Sequence, residues 1–260
     1  MERMIRLYNS AMIRHRRGYY EDSGFLNFGY WGGQAKSQRE ASEALVDRLV
    51  AKIAVKGGRI LDVACGVGAS TRRLTERYAP SMITAINISE AQIAEARKRL
   101  PECTFLVMDA ARLEFPDDHF DAVICVEAAF HFNTREAFLR EALRVLKPGG
   151  SLVLSDILNR RFAAPLIKLY YVPRENLITD IGAYRKQLEA VGFDAVEVED
   201  ATEVCLRYFR KQLAGWPARQ RKAGRTRLGK SILRAFIHRA IAGYFFATCK
   251  HYVLAAGRKP

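Results

Sequence analysis

Leu61 to Ser70 reads LDVACGVGAS. The apolar run RILDVA, from Arg59, leads into a turn carrying Gly66 and Gly68, and the helical pattern STRRLTERY follows. Strand, glycine turn and helix in that order predict the ligand-bearing turn of a doubly wound α/β sheet. There ligands bind beyond the carboxyl ends of the strands, and glycine lets the backbone approach them closely.

A dinucleotide-binding turn carries GxGxxG so that a pyrophosphate can reach the helix N-terminus. Here the third glycine is missing and Asp62 places an acid in the strand before the turn. That acid would repel a pyrophosphate and suits a ligand with ammonium and sulfonium groups, namely S-adenosylmethionine.

Outward from this turn, short β-branched runs alternate with helical ones between Gly57 and about Ile157: SMITAINI, EAQIAEARKRL, CTFLVM, DAVICVE, REAFLREALRVL and SLVLSDI. Such alternation predicts a mostly parallel sheet covered on both faces and joined by right-handed crossovers. Lys147, Pro148, Gly149 and Gly150 are expected to end the helix that starts near Thr134 and to feed the next strand. Residues 1–56 read as a helical N-terminal cap with a basic helix, the turn-rich FLNFGYWGG and the amphipathic EASEALVDRLVAKI. Residues 57–157 form the cofactor-binding core. Residues 158–260 add a helix through TDIGAYRKQLEAVGF, the strands AVEVED and HYVLAAG, and helical insertions over the ligand edge.

With 260 residues, 49% of them hydrophobic, the chain can bury a sizeable core as one globular unit. No secretory leader and no apolar run of about 18 residues is visible, so a cytoplasmic protein is expected. Cys65, Cys103, Cys125, Cys205 and Cys249 are scattered, with no CxxC pair, and read as buried core residues. Cys65 could also touch a ligand. No metal-ligand cluster stands out, which argues against a metal-dependent catechol mechanism.

Three blocks in order, LDVACGVGAS, MDAARLEFPDDHFDAVICVEA and LREALRVLKPGGSLVLSDI, resemble the class I S-adenosylmethionine-dependent methyltransferases over residues 57–157. The resemblance implies a seven-stranded Rossmann-like methyltransferase fold with S-adenosylmethionine as cofactor. It implies that Asp62, Ala64, Gly66 and Gly68 line the methionine end and that Asp109 and Ala110 hold the adenine. Two residues depart from the family's pattern. Ala64 stands where glycine is usual, and Asn87 stands where an acid usually holds the ribose hydroxyls. Asn87 would bind those hydroxyls more weakly than a carboxylate, helped by Ser89 and Gln92, or would merely turn the chain.

The stretches LNFGYWGG (Leu26–Gly33), VEAAFHF (Val126–Phe132) and YVLAAGRKP narrow the resemblance to small-molecule O-methyltransferases of the erythromycin-sugar and rebeccamycin-sugar type, with related features in phthiotriol-type lipid methyltransferases. In that group Tyr30 and Trp31 would close the methionine end; alternatively they are a buried pair anchoring the first helix. His131 corresponds to the residue implicated as base, and imidazole, with an unperturbed pKa of about 6.5, can take a hydroxyl proton near neutral pH. Asp156 would orient His131, bind the acceptor hydroxyl or cap a helix. Glu127 would lie beside the methionine end or bond loop backbone.

The net charge of +14 is carried wholly after Glu203, the last acid, where 14 of the 42 lysines and arginines lie. An anionic acceptor, anionic lipid and nucleic acid would each be drawn to such a segment, although no RNA-binding module is present. Ile232, Leu233, Phe236, Ile237, Ala240, Ile241 and Tyr244 form an apolar stripe that would pack over the acceptor pocket or meet a membrane. The expected function is methyl transfer to a hydroxyl of a hydrophobic small molecule. The alternatives are carbon methylation of an electron-rich, even phosphate-bearing acceptor, and a non-catalytic cofactor-binding subunit.

Overall fold

The computed structural model describes residues 5, 6, 9, 18–33, 35–160 and 172–260, apart from the side chains of 228 and 230. Most of the expected basic N-terminal helix and the apolar, basic stretch 161–171 lie outside the described residues.

The described elements run α1 (Gln38–Val50), β1 (Ile60–Val63), α2 (Ala69–Leu74), β2 (Ile83–Asn87), α3 (Glu90–Arg99), β3 (Thr104–Val107), β4 (Phe120–Val126), α4 (Arg135–Val145), β5 (Leu146–Asn159), α5 (Ile181–Val191), β6 (Asp194–Asp200), α6 (Tyr208–Lys222), α7 (Leu228–Thr248) and β7 (Cys249–Arg258). Local chemistry fixes several of the boundaries. Ser37, Ser89, Thr134 and Asp180 each accept a backbone N–H from three residues on, capping α1, α3, α4 and α5. Gly192, at φ +114°, ends α5 in the left-handed conformation that a side chain would resist.

The seven strands lie in the order β3-β2-β1-β4-β5-β7-β6. Pairs among β1 to β5 are parallel, and β7 runs antiparallel between β5 and β6. From β1 the chain builds outward through β2 and β3 and then crosses to β4. The carboxyl ends of β1 and β4 therefore diverge at a switch point where a crevice opens.

Alternation along the strands sends Ile60, Ile83, Ala85, Phe105 and Ile124 to one face, where Leu45 and Leu49 of α1 and Phe209 of α6 cover them. Leu61, Val63, Ile86, Val123 and Cys125 point to the other, beneath Phe138 and Leu139 of α4 and Leu188 of α5. All five cysteines are buried and free. The KPGG segment departs from expectation. α4 stops at Val145, sheet pairing already begins at Leu146, and the glycines sit within β5 beside a register shift opposite Phe120 and Ala122.

α6 contains Pro217, which has no N–H to give the carbonyl of Leu213 one turn earlier. His238 of α7 donates from Nδ1 to that carbonyl at 3.2 Å and stacks on Trp216 at 5.1 Å. The proline thus creates an acceptor that the next helix satisfies, and the two helices are pinned at that point.

Most of the stripe on α7 faces outward, whereas Tyr244 near its end packs against the core. Ser231, Ala242, Phe245 and Thr248 are buried, whereas Ile232, Leu233, Phe236, Ile237 and Ile241 are exposed. The expectation that this stripe would pack over an acceptor pocket is corrected, because α7 presents its opposite, less apolar side to α6 and the sheet.

Candidate active site

At the switch point a cavity with an empty volume of about 1240 Å³, part of it open to solvent, runs from the glycine turn to the loop after β4. Ala64, Cys65 and Gly66 form its floor beyond β1. Ala64, Gly66 and Gly68 have φ of +60°, +59° and +83°. At Gly66 only Gln92 Oε1, 3.8 Å away, would meet an added Cβ, so the backbone lies bare toward the cavity. Ala64 holds the same left-handed conformation with a side chain, at a cost of roughly 1–2 kcal/mol relative to glycine.

Asp62 lies beneath the turn. It is fully buried, and its Oδ2 accepts hydrogen bonds from Ser70 Oγ at 2.8 Å and Thr71 Oγ1 at 2.7 Å. Oδ1 is buried with no hydrogen-bond partner. Burial pushes the carboxyl up to about 6 against the opposing effect of the two hydroxyls. Gly68, the residue before α2, likewise lies behind the floor, against Phe105 and Ala96.

At the end of β2, Asn87 Nδ2 donates to Gln92 Oε1 at 2.7 Å. Ser89 Oγ and Gln92 Nε2 both donate to Asn9 Oδ1, at 2.8 and 3.2 Å. Asn87, Ser89 and Gln92 thus share one polar patch of the cavity wall with Asp109 and Ala110. Asp109 Oδ1 accepts from the Ala111 N–H. Met108 and Ile88 complete an apolar slot there.

The opposite wall is built from the loop after β4. Glu127, at φ +54°, accepts at Oε2 from the Phe28 N–H at 2.8 Å and the Tyr252 hydroxyl at 2.6 Å. One carboxylate oxygen therefore ties together the N-terminal segment, the end of β4 and strand β7. Burial pushes Glu127 up to about 8, with the two hydrogen bonds acting in the other direction. Ala129–His131 forms a short 3-10 turn, and His131 lines the cavity beside Phe130, whose ring centroid is 4.0 Å away, and Phe132.

Asp156 lies beneath the cavity wall. Its Oδ1 accepts from the Phe130 and Ile157 N–H groups, and its Oδ2 from Arg135 Nε at 2.7 Å and the Tyr184 hydroxyl at 3.0 Å. Both Asp156 and Arg135 are fully buried. The carboxylate is thus occupied by four protein donors, and it meets the His131 turn through the backbone of Phe130. Tyr30 and Trp31 also stand back from the cavity. Trp31 is buried, its indole donating to the Phe28 carbonyl, and Tyr30 lies 5.7 Å from the Arg48 guanidinium.

Phe25, Leu26 and Asn27, a few residues earlier, line the cavity instead. Asn27 is buried and its Oδ1 has no hydrogen-bond partner. These residues, with Asn9, were not singled out in the sequence. Their signal was Gly24 and Gly29, at φ +81° and +77°, which bend the segment on either side of them.

The raised carboxyls give a pH dependence. Between its ordinary 4.5 and about 8 the folded protein keeps a proton on Glu127 that the unfolded chain releases. Stability therefore falls as pH rises through that interval, and Asp62 adds a like fall between 3.8 and about 6. Part of the Glu127 surface faces the cavity, where solvent moderates the effect. The thermal stability of the cofactor-free protein is expected to fall steadily from about pH 5 to about pH 8, and Glu127→Gln to flatten the upper half of that fall. An unchanged slope in the variant would assign it to another group.

A cradle of bare backbone, a buried carboxylate oxygen lacking a donor and a patch of amides and hydroxyls suit the ammonium, sulfonium and ribose groups of S-adenosylmethionine. The methyltransferase-domain family profile matches residues 61–154. Over 251 residues the chain is 30% identical to 27-O-demethylrifamycin SV methyltransferase of Amycolatopsis mediterranei (strain S699), covering 90% of each. The crystal structure of the [4+2]-cyclase SpnF superposes with a TM-score of 0.71 at 25% identity, covering 99% of this chain and 93% of that one. Geranyl diphosphate C-methyltransferase from Streptomyces coelicolor A3(2), solved with S-adenosyl-L-homocysteine, has the same fold, with a TM-score of 0.71 at 15% identity and coverage of 100% and 97%.

Proposed function

Since this chain belongs to the class I S-adenosylmethionine-dependent methyltransferases of small molecules, we propose that it methylates a hydroxyl of a hydrophobic acceptor, with His131 as the base. The observation that carries this reading is His131 in the wall of the cavity that the glycine turn floors, between Phe130 and Phe132. An aromatic flank suits an apolar acceptor and keeps water from the reacting atoms.

When bound, S-adenosylmethionine supplies an electrophilic methyl group on sulfur and leaves as S-adenosylhomocysteine. The residues have two tasks: to hold the acceptor oxygen in line with that methyl and to receive its proton. His131 takes the proton. Asp156 acts as a positioning residue, because its bond to the Phe130 N–H fixes the turn that carries His131. In this reading Asn87, Ser89 and Gln92 hold the ribose, Asp109 and Ala110 the adenine, and Ala64 and Gly66 the methionine end over Asp62. Asn27 Oδ1 and Glu127 face the ammonium end from the other side.

The test is to incubate the protein with methyl-labelled S-adenosylmethionine and an extract of producing cells and to locate the label by mass spectrometry. Label on oxygen in an apolar product is expected. Label on carbon would overturn the hydroxyl acceptor. Cofactor binding without any S-adenosylhomocysteine across the extract would overturn methyl transfer itself.

A further inference from the structure

The outward side of α7 has no role in the cavity. At about 100° per residue, Ser231, Ala242 and Phe245 fall on one side of the helix and are buried there, while Thr248 is buried at its C-terminal end. Leu233, Phe236, Ile237 and Ala240 fall opposite, and Ile232 and Ile241 widen that side to nearly half the circumference. Phe236 is 74% exposed, and Ile232 and Leu233 are each 63% exposed. Arg234 and Arg239, both exposed, lie at its two borders. The end of α6 and the turn that leads into α7 add Arg221, Lys222, Arg225 and Arg227, all exposed. No acid occurs after Glu203 to neutralise any of them.

We propose that this face of α7 docks on a bilayer containing anionic phospholipid, with Leu233, Phe236 and Ile237 sunk among the upper acyl chains and the bordering arginines on the headgroups. Charge complementarity selects this occupant. A broad apolar strip edged by cations is the pattern of a helix lying in the membrane interface. A second copy of the chain would bring its own Arg234, Arg239 and basic turn against the first, so like charges would meet across the contact. Nucleic acid would match the charge and leave the aliphatic strip against phosphate and water. Among the described residues no helix is long and apolar enough to cross a membrane, so the contact is peripheral. The far end of the same helix, at Tyr244, Phe245 and Thr248, lines a smaller hollow that shares Phe130 with the main cavity.

Full-length protein is floated with vesicles of phosphatidylcholine alone and of phosphatidylcholine with phosphatidylglycerol. Binding to the anionic vesicles is expected to be at least about tenfold stronger and to weaken as salt is raised. The double variant Leu233→Asp with Phe236→Asp should lose that binding about tenfold or more while still binding S-adenosylmethionine, since neither side chain is buried. Equal or absent binding to the two vesicle types would overturn the proposal. So would sedimentation showing a wild-type dimer that the double variant breaks while lipid binding is unchanged.

Discussion

Replacing His131 by alanine is expected to lower kcat by about 10²- to 10⁴-fold, the usual contribution of a positioned general base. Affinity for S-adenosylmethionine should change little, because in this reading His131 meets the acceptor and not the cofactor. The rate of the native enzyme should rise with pH along a limb that the variant lacks, which separates proton removal from mere wall-building. Single-turnover rates at saturating cofactor make the measurement direct. A variant retaining the full rate would remove His131 from the chemistry and leave alignment alone to drive the transfer, as a more acidic acceptor would allow.

The second large effect concerns stability. Asp156→Ala would leave the buried Arg135 guanidinium without its 2.7 Å partner and strand the N–H groups of Phe130 and Ile157. Breaking a buried ion pair from one side costs about 3–5 kcal/mol. Arg135 is held from elsewhere as well: its Nη1 donates to the Asn176 carbonyl, its backbone N–H to Asn176 Oδ1, and its guanidinium lies 5.3 Å from the Tyr184 ring centroid. Removing both charges, with Arg135→Met and Asp156→Leu, should therefore cost less than Asp156→Ala alone, as chemical denaturation would show. If the double variant were the worse one, the pair would be stabilising beyond its desolvation. If Asp156→Ala were nearly neutral, the four hydrogen bonds would not be the support they resemble.

Much of the architecture was legible because local rules and tertiary demands agree over residues 57–157. The run RILDVA carries β-branched Ile60 and Val63, the glycines of the turn after it, Gly66 and Gly68, occupy positions with positive φ, and the helix starts where that turn ends. The site was legible where a side chain stays near its own backbone. Ala64, Gly66, Asn87, Asp109 and His131 all line the cavity because they lie at strand ends. It was less so where a contact spans the chain. Nothing local tells that Arg135 reaches Asp156, or that Tyr252 and Phe28 meet on Glu127. In LNFGYWGG the aromatic pair drew attention by size, yet the bends at Gly24 and Gly29 turn Phe25 to Asn27 toward the cavity and set Tyr30 and Trp31 behind it. Periodicity also located the stripe on α7 without giving its direction. Ser231, His238 and Ala242 look like a surface, but Pro217 in α6 leaves the Leu213 carbonyl for His238 to bond, and the helix packs that way round.

Strand β7 carries a consequence for how the chain is made. It lies between β5 and β6, and among the described residues β6 has no other neighbour in the sheet. Residues 194–200 therefore leave the ribosome about fifty residues before the strand that will hold them, at roughly 5–20 residues per second. For some seconds β6 is an unpaired edge, the kind of surface that nascent chains aggregate through. Asp194, Glu197, Glu199 and Asp200 give this short strand four negative charges. Charged side chains of this kind are how exposed edges resist pairing with the wrong partner, and the arrival of Cys249–Arg258 completes the sheet from its middle.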